Sequence, residues 1–176
     1  PKCHPPQRDL LRMTSPRSSF LTLYAIGHRP PEWVSTGFAD YARRLPPEWA
    51  LTLVEVKAEP RHADSEAERN RARSREGERL RTRIPAGHRL VLLDERGSPW
   101  STADLAQQLA RWRSDARPVA LIIGGPDGLP PEWRHRADDL WQLSPLTLPH
   151  ALVRVVVAEA IYRAWTVLTG HPYHRE

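Results

Sequence analysis

Three stretches hold residue types that could do chemistry. "IIGGPDG" (122–128) runs from an apolar segment into three glycines within five residues, Gly124 to Gly128. Glycine permits positive φ and lets a ligand lie close to the backbone. The spacing fits neither the P-loop nor the dinucleotide-binding pattern, so the loop points to a ligand without naming it. "LSPLTLPH" (143–150) is apolar and broken by Pro145 and Pro149. Its backbone N–H and C=O groups, set among leucines, suit a flat heteroaromatic ring such as adenine. A phosphate would want Lys, Arg or a helix N-terminus, and no cationic side chain occurs from 118 to 133. The competing reading of this loop is an ordinary connection. "HPYHRE" (171–176) clusters polar aromatic and basic groups, and on composition alone it reads as a frayed end. His171 and His174 could ligate a metal, but no further His, Cys or Asp spacing supports one, and no metal is expected.

These loops need a scaffold, and the hydrophobic pattern supplies one. "FLTLYAI" (20–26) and "LTLVEVK" (51–57) alternate with period two, as strands do. "RLVLLD" (89–94) and "VALIIGG" (119–125) are continuous apolar runs, expected of central strands covered on both faces. "LWQLS" (140–144) is a weaker fifth strand. Helical segments fall at 31–45, 64–83, 101–115, 131–138 and 150–169, with Ser65-x-x-Glu68 as a capping-box pattern. Five alternations argue for an α/β fold with an open, mainly parallel sheet. Ligands of such sheets sit beyond the carboxyl ends of the strands. "LLDERG" (92–97) and the first two loops above are three such ends.

The segment 150–169 is apolar nearly all round, with Glu159 and Arg163 spaced as an i,i+4 pair. A helix of that kind is buried on every side. In so small a chain one face meets the core and another a second subunit. Arginines crowd 61–83 (Arg61, Arg69, Arg71, Arg73, Arg75, Arg79, Arg81 and Arg83), offset by Glu66, Glu68, Glu76 and Glu78. A solvated helix face and a phosphate contact are both open there.

The chain has 176 residues and a net charge of +5. That suits one domain and favours an anionic partner, nucleic acid being the commonest. Lys2, Arg8 and Arg12 against Asp9 inflate the charge, and the remainder carries only +3. Residues 1–19, with four prolines and no periodicity, read as a disordered extension to a single domain at 20–176, and Met13 stands where a natural start could lie. One cysteine, Cys3, excludes a disulfide framework and makes the cytoplasm the default compartment. No apolar run of membrane-spanning length is free of charge.

Together, "LDERGSPWST", "LIIGGPDGL", "LSPLTLPHALVRVVVAEAIYRAW" and "HPYHRE" resemble the RlmH family, the bacterial 23S rRNA pseudouridine N3-methyltransferases of the SPOUT superfamily. "AIGHRPPEWVSTGFADYARRLP" and "REGERL" (75–80) fit as well, and the resemblance covers 20–176. It implies an α/β knot, in which the C-terminal segment threads a deep trefoil, a rare exception to chain topology. It implies a homodimer with sites near the subunit interface. It implies S-adenosylmethionine as cofactor, with the bare "GGPDG" leaving room for it. The cofactor positions carried over are Leu93, Gly124, Gly125, Leu143, Ser144, Pro145, Leu146, Thr147 and Leu148. Pro145 departs from relatives that often have a small residue such as Ala.

The implied reaction is methyl transfer to N3 of a pseudouridine in helix 69 of 23S rRNA, within the assembled ribosome. His174 would accept the proton, and Tyr173 and Arg175 would position the nucleotide or stabilise the anionic ring. Arg154 and Arg163 would meet phosphate or the partner subunit. The rival readings are an α/β enzyme using another nucleotide and a non-catalytic RNA- or ribosome-binding protein of the same fold.

Overall fold

The computed structural model describes residues 19–27 and 29–175, and the side chains of His174 and Arg175 are not among the described parts. The expected extension therefore lies outside the described residues up to 18, Met13 included. Its last residue, Ser19, belongs to the domain, because its hydroxyl donates to the Ala50 carbonyl at 2.5 Å.

Five strands form one sheet: β1 (Leu21–Ile26), β2 (Leu51–Val56), β3 (Arg89–Pro99), β4 (Val119–Ile123) and β5 (Asp139–Gln142). Their order is β2-β1-β4-β3-β5 and every pairing is parallel. The helices are α1 (Glu32–Ala42), α2 (Glu66–Arg83), α3 (Thr102–Asp115), the short α4 (Glu132–Arg136) and α5 (His150–Thr169). α1, α3 and α5 cover one face of the sheet, and α2 and α4 cover the other.

Strand alternation sorts the core into these two layers. Leu21, Leu23 and Ala25 of β1 face α1, α3 and α5, together with Phe38, Leu109, Trp112, Val157 and Ile161. Tyr24 and Ile26 of the same strand face Leu80 of α2 and Trp133 of α4. β1 is thus covered on both faces and buried throughout. Its polar alternation does not mark an edge, because Thr22 pairs with Thr52 across the sheet (3.3 Å between hydroxyls) and is buried there. β4 is shorter than its apolar run suggested. It ends at Ile123, and the two glycines that follow belong to a turn.

Local signals set the helix ends. Ser65 accepts from the Glu68 N–H at 3.2 Å, the first half of the expected box. The reciprocal box caps α3 instead. There Ser101 Oγ accepts from Asp104 N–H at 3.1 Å, and the Asp104 carboxylate accepts from Ser101 N–H at 2.9 Å. The Ser101 hydroxyl, which also donates to that carboxylate at 2.6 Å, and then the Ser101 N–H hold the Asp104 carboxyl below its ordinary range. α5 ends at Gly170, whose φ of 67° needs a residue without a side chain. The segment 172–175 beyond it is a 3-10 helix packed against α5, not a frayed end.

Candidate active site

β3 runs on to Pro99, past the expected end at 94, but its regular pairing with β5 breaks after Leu93. At that break, and at the carboxyl ends of β4 and β5, the chain opens into a cleft of about 500 Å³. All nine residues expected to meet a cofactor line it: Leu93 at the break in β3, Gly124 and Gly125 after β4, and Leu143 to Leu148 after β5. Leu146 is 73% exposed and forms an apolar lip. A hydrogen bond from Leu146 N–H to Ser144 Oγ (2.9 Å) shapes the loop after β5.

The bare loop after β4 has an intramolecular cause. Gly128 N–H donates to Gly125 O at 2.8 Å, closing a turn around Pro126 and Asp127, and Gly128 has φ of 75°. A Cβ on Gly124 would lie 3.1 Å from the Gly128 carbonyl carbon and from Leu129. A Cβ on Gly125 would lie 2.6 Å from a carboxylate oxygen of Glu76. At Gly124 and Gly125 the protein's own chain fills the space where a side chain would stand, and Gly128 is set by its positive φ. Arg61 holds Asp127 of the turn at 2.7 Å.

Sequence reasoning missed three lining side chains. Asp94 accepts from Arg134 Nε at 2.6 Å and from Arg96 N–H at 2.9 Å. Arg134 lies one residue beyond the cation-free stretch, so the sequence hid the cleft's cation only by a boundary. His150 begins α5, and its Nε2–H donates to the Ile26 carbonyl. Burial lowers the His150 pKa, the Ile26 carbonyl raises it, and the neighbouring Arg154 lowers it further, for a net downward shift. The ring is held neutral.

Arg154 is not open to a phosphate. It is 2% exposed, donates to Glu55 Oε1 at 2.5 Å and to Gly27 O at 2.9 Å, and so ties α5 to the ends of β1 and β2. A buried guanidinium requires such partners. Arg163 is committed too. It donates to Glu159 at 2.7 Å and lies 5.0 Å over the Tyr173 ring.

Tyr173 lies at the opposite end of α5 from the cleft. Its ring packs on Tyr162 (4.8 Å between centroids) and its hydroxyl lies 3.5 Å from Glu159. Burial first, then a hydrogen bond with Tyr41 and the nearby Glu159, push its pKa up to about 12. The phenol stays protonated at neutral pH and is no general base. His150 and Val153 border the cleft, whereas Tyr162 anchors Tyr173. The rise of a helix puts about 18 Å between His150 and Tyr162.

The arginine run forms ion pairs within the chain. Arg69, Arg71, Arg73, Arg75, Arg79 and Arg81 each have a carboxylate of Asp64, Glu59, Glu66, Glu68 or Glu78 within 4.0 Å. Among the described residues, no group of three or more His, Cys, Asp or Glu could hold a metal ion, and no helix is long and apolar enough to cross a membrane.

A family model described as a predicted SPOUT methyltransferase matches residues 20–174. The chain belongs to the SPOUT methyltransferases. Within them it is similar to the ribosomal RNA large subunit methyltransferase H of Pseudomonas putida, at 51% identity over 155 residues, 88% of this chain and 99% of that one. The protein of the same name from Pseudomonas aeruginosa matches at the same identity and coverage. Such identity over nearly the whole relative makes this SPOUT chain a member of the large-subunit methyltransferase H family. The solved SpoU methyltransferase AviRb from Streptomyces viridochromogenes, in complex with AdoMet, is far more remote: 20% identity, a TM-score of 0.41, and 90% of this chain against 62% of that one.

Proposed function

We propose that this methyltransferase moves a methyl group from S-adenosylmethionine to N3 of a pseudouridine in helix 69 of 23S rRNA, acting on the assembled ribosome as a knotted homodimer in the cytoplasm. The observation that carries the proposal is the convergence of residues 92–95 of β3 with the loops after β4 and β5 on one cleft, in a chain half identical to named rRNA methyltransferases.

The cleft suits the cofactor. Its volume falls in the range of small-molecule sites. Leu93, Leu143 and Leu148 offer apolar walls for adenine, and the loop backbones offer donors and acceptors. Asp94, Glu95 and Asp127 outnumber Arg134 among the lining charges, which favours a ligand carrying a positive sulfonium. When bound, the cofactor supplies an electrophilic methyl on that sulfonium. The residues of this chain do the rest by holding two reactants in line, an effect worth roughly 7–11 kcal/mol in well-oriented systems.

The separation along α5 supports a site shared between subunits. Tyr173 is anchored at the far end of α5, away from the cleft of its own chain. A second copy can bring its 173–175 to this cleft. Trp33 is 56% exposed, and Val167 and Leu168 at the end of α5 are more than a third exposed. Leu152, Val155 and Val156 are half-buried. α1 and α5 approach closely where Gly37 meets Val155, and these two helices offer apolar side chains to such a partner. In this arrangement Tyr173 seats the tail, and residues 174 and 175 act on the nucleotide, His174 as proton acceptor.

The test is transfer of labelled methyl to ribosomes lacking the modification, with mass spectrometry locating the product, beside calorimetry with S-adenosylmethionine. Cofactor binding and a methylated pseudouridine are expected. RNA binding without cofactor binding would overturn the reading.

A further inference from the structure

"REGERL" of α2 has no part in the chemistry above, yet Glu76 touches the cleft from behind and Gly77 packs beside it. Glu76 is 2% exposed, a rare state for a carboxylic acid. One oxygen accepts from Glu59 N–H at 2.9 Å. The other lies 2.6 Å from where a Gly125 Cβ would stand, so it rests against the α-carbon of a cleft residue. Gly77 continues the contact. A Cβ there would lie 2.7 Å from Trp133 Nε1 and 3.2 Å from Pro130, just beyond the same turn. The segment that supports Glu76 is itself fixed, since the Glu59 carboxylate pairs with Arg75 and Arg79 of α2.

We infer that Glu76 is a positioning residue of the cofactor cleft, seating the turn Gly125–Gly128 so that its backbone is ready for the ligand. This rests on the reading that the cleft takes S-adenosylmethionine. Neighbouring contacts define a narrow role. Arg61 grips Asp127 at the tip of the turn, and Glu76 fills the space under its first residue. A smaller side chain leaves a void there, and the turn relaxes into it. Burial pushes the Glu76 carboxyl up, with the Glu59 N–H opposing. An amide of the same shape keeps the acceptor for the Glu59 N–H.

The experiment compares the full-length proteins Glu76→Ala, Glu76→Gln and Leu80→Ala by calorimetry with S-adenosylmethionine, thermal melting and steady-state methyl transfer. Leu80 is fully buried on the same helix but lies outside the cleft. Glu76→Ala is expected to weaken cofactor binding about tenfold to a hundredfold, the scale of one lost buried polar contact. The KM for the cofactor should rise with it, while kcat at saturation changes little. Glu76→Gln should restore binding to near the wild-type value. Leu80→Ala should lower the melting temperature and leave cofactor affinity unchanged. Glu76→Asp, which withdraws the carboxylate by one methylene, gives the same comparison if the alanine variant does not fold. Wild-type affinity in Glu76→Ala or Glu76→Asp, or an equal loss in Leu80→Ala, would overturn the inference. A wild-type protein that binds no S-adenosylmethionine would instead overturn the functional reading.

Discussion

The two ends of α5 are built on different principles. At its start the cleft is mostly backbone and apolar surface, shaped by turns whose glycines pack on their own chain. At its end, Tyr41, Tyr162, Tyr173, Arg163 and Glu159 form a cluster of interlocked side chains. The first suits a ligand that is bound and released. The second suits a tail that must stay in place. One helix carries both and keeps them apart, and this separation is what motivates the proposal that the tail of one subunit serves the cleft of another.

The largest effect should come from removing the tail. A protein ending at Pro172 is expected to lose methyl transfer by at least about 10²-fold, the low end of what a general acid–base group supplies. Its cofactor affinity by calorimetry should hold, because the cleft lies at the other end of α5. A loss of affinity equal to the loss of rate would break the division between the two ends.

Next comes the tie between α5 and the sheet. Arg154→Ala leaves Glu55 and the Gly27 carbonyl without their partner, and such losses cost about 3–5 kcal/mol for a buried pair. Glu55 is partly exposed, which places the expected loss at the low end. Denaturant unfolding measures it. A surface-like effect would return Arg154 to the set of free cations. Gly124→Val is a subtler test of the cleft. Its Cβ meets the Gly128 backbone at 3.1 Å, so overpacking of about 1–3 kcal/mol should accompany loss of cofactor binding. Lost binding at unchanged stability would mean that the glycine is bare for the ligand.

The smallest effect concerns the Tyr173 phenol. Its folded pKa, about 12, lies above its ordinary value of 10.0. The native state therefore favours the protonated form. That contribution is fully present below pH 10 and is lost as the pH rises through 12. Phenolate absorbance should show a component titrating about two pH units late that is lost in Tyr173→Phe, while Tyr24, whose pKa burial also raises, remains late in that variant. A normal titration would mean that the cluster is open to solvent.

Much of this was legible in the sequence, for physical reasons. The buried strands β3 and β4 announced themselves as apolar runs, and the loops after them fell on the ligand edge of a parallel sheet. Glu159 and Arg163 are neighbours on α5 and could be paired on spacing alone. What the sequence concealed depends on contacts between distant segments. Glu55 meets Arg154 across 99 positions, and Glu76 rests on Gly125 through the fold. Nothing local to "GGPDG" shows that the Gly128 backbone and Glu76 lie where side chains of Gly124 and Gly125 would stand. Tyr173 looked frayed because its anchors, Tyr41 and Tyr162, lie on two other turns of chain.

The shared site is tested most directly by mixed dimers. One subunit carries Thr147→Trp, which fills the cleft from an exposed loop position and leaves the tail intact. The other keeps its cleft and ends at Pro172. Each variant alone should be inactive on ribosomes. In a dimer of one of each, the intact cleft meets the intact tail, so half of the sites should regain methyl transfer. A mixed dimer as inactive as its parents, with both subunits folded and associated, would contradict the account and place the tail's chemistry within its own chain.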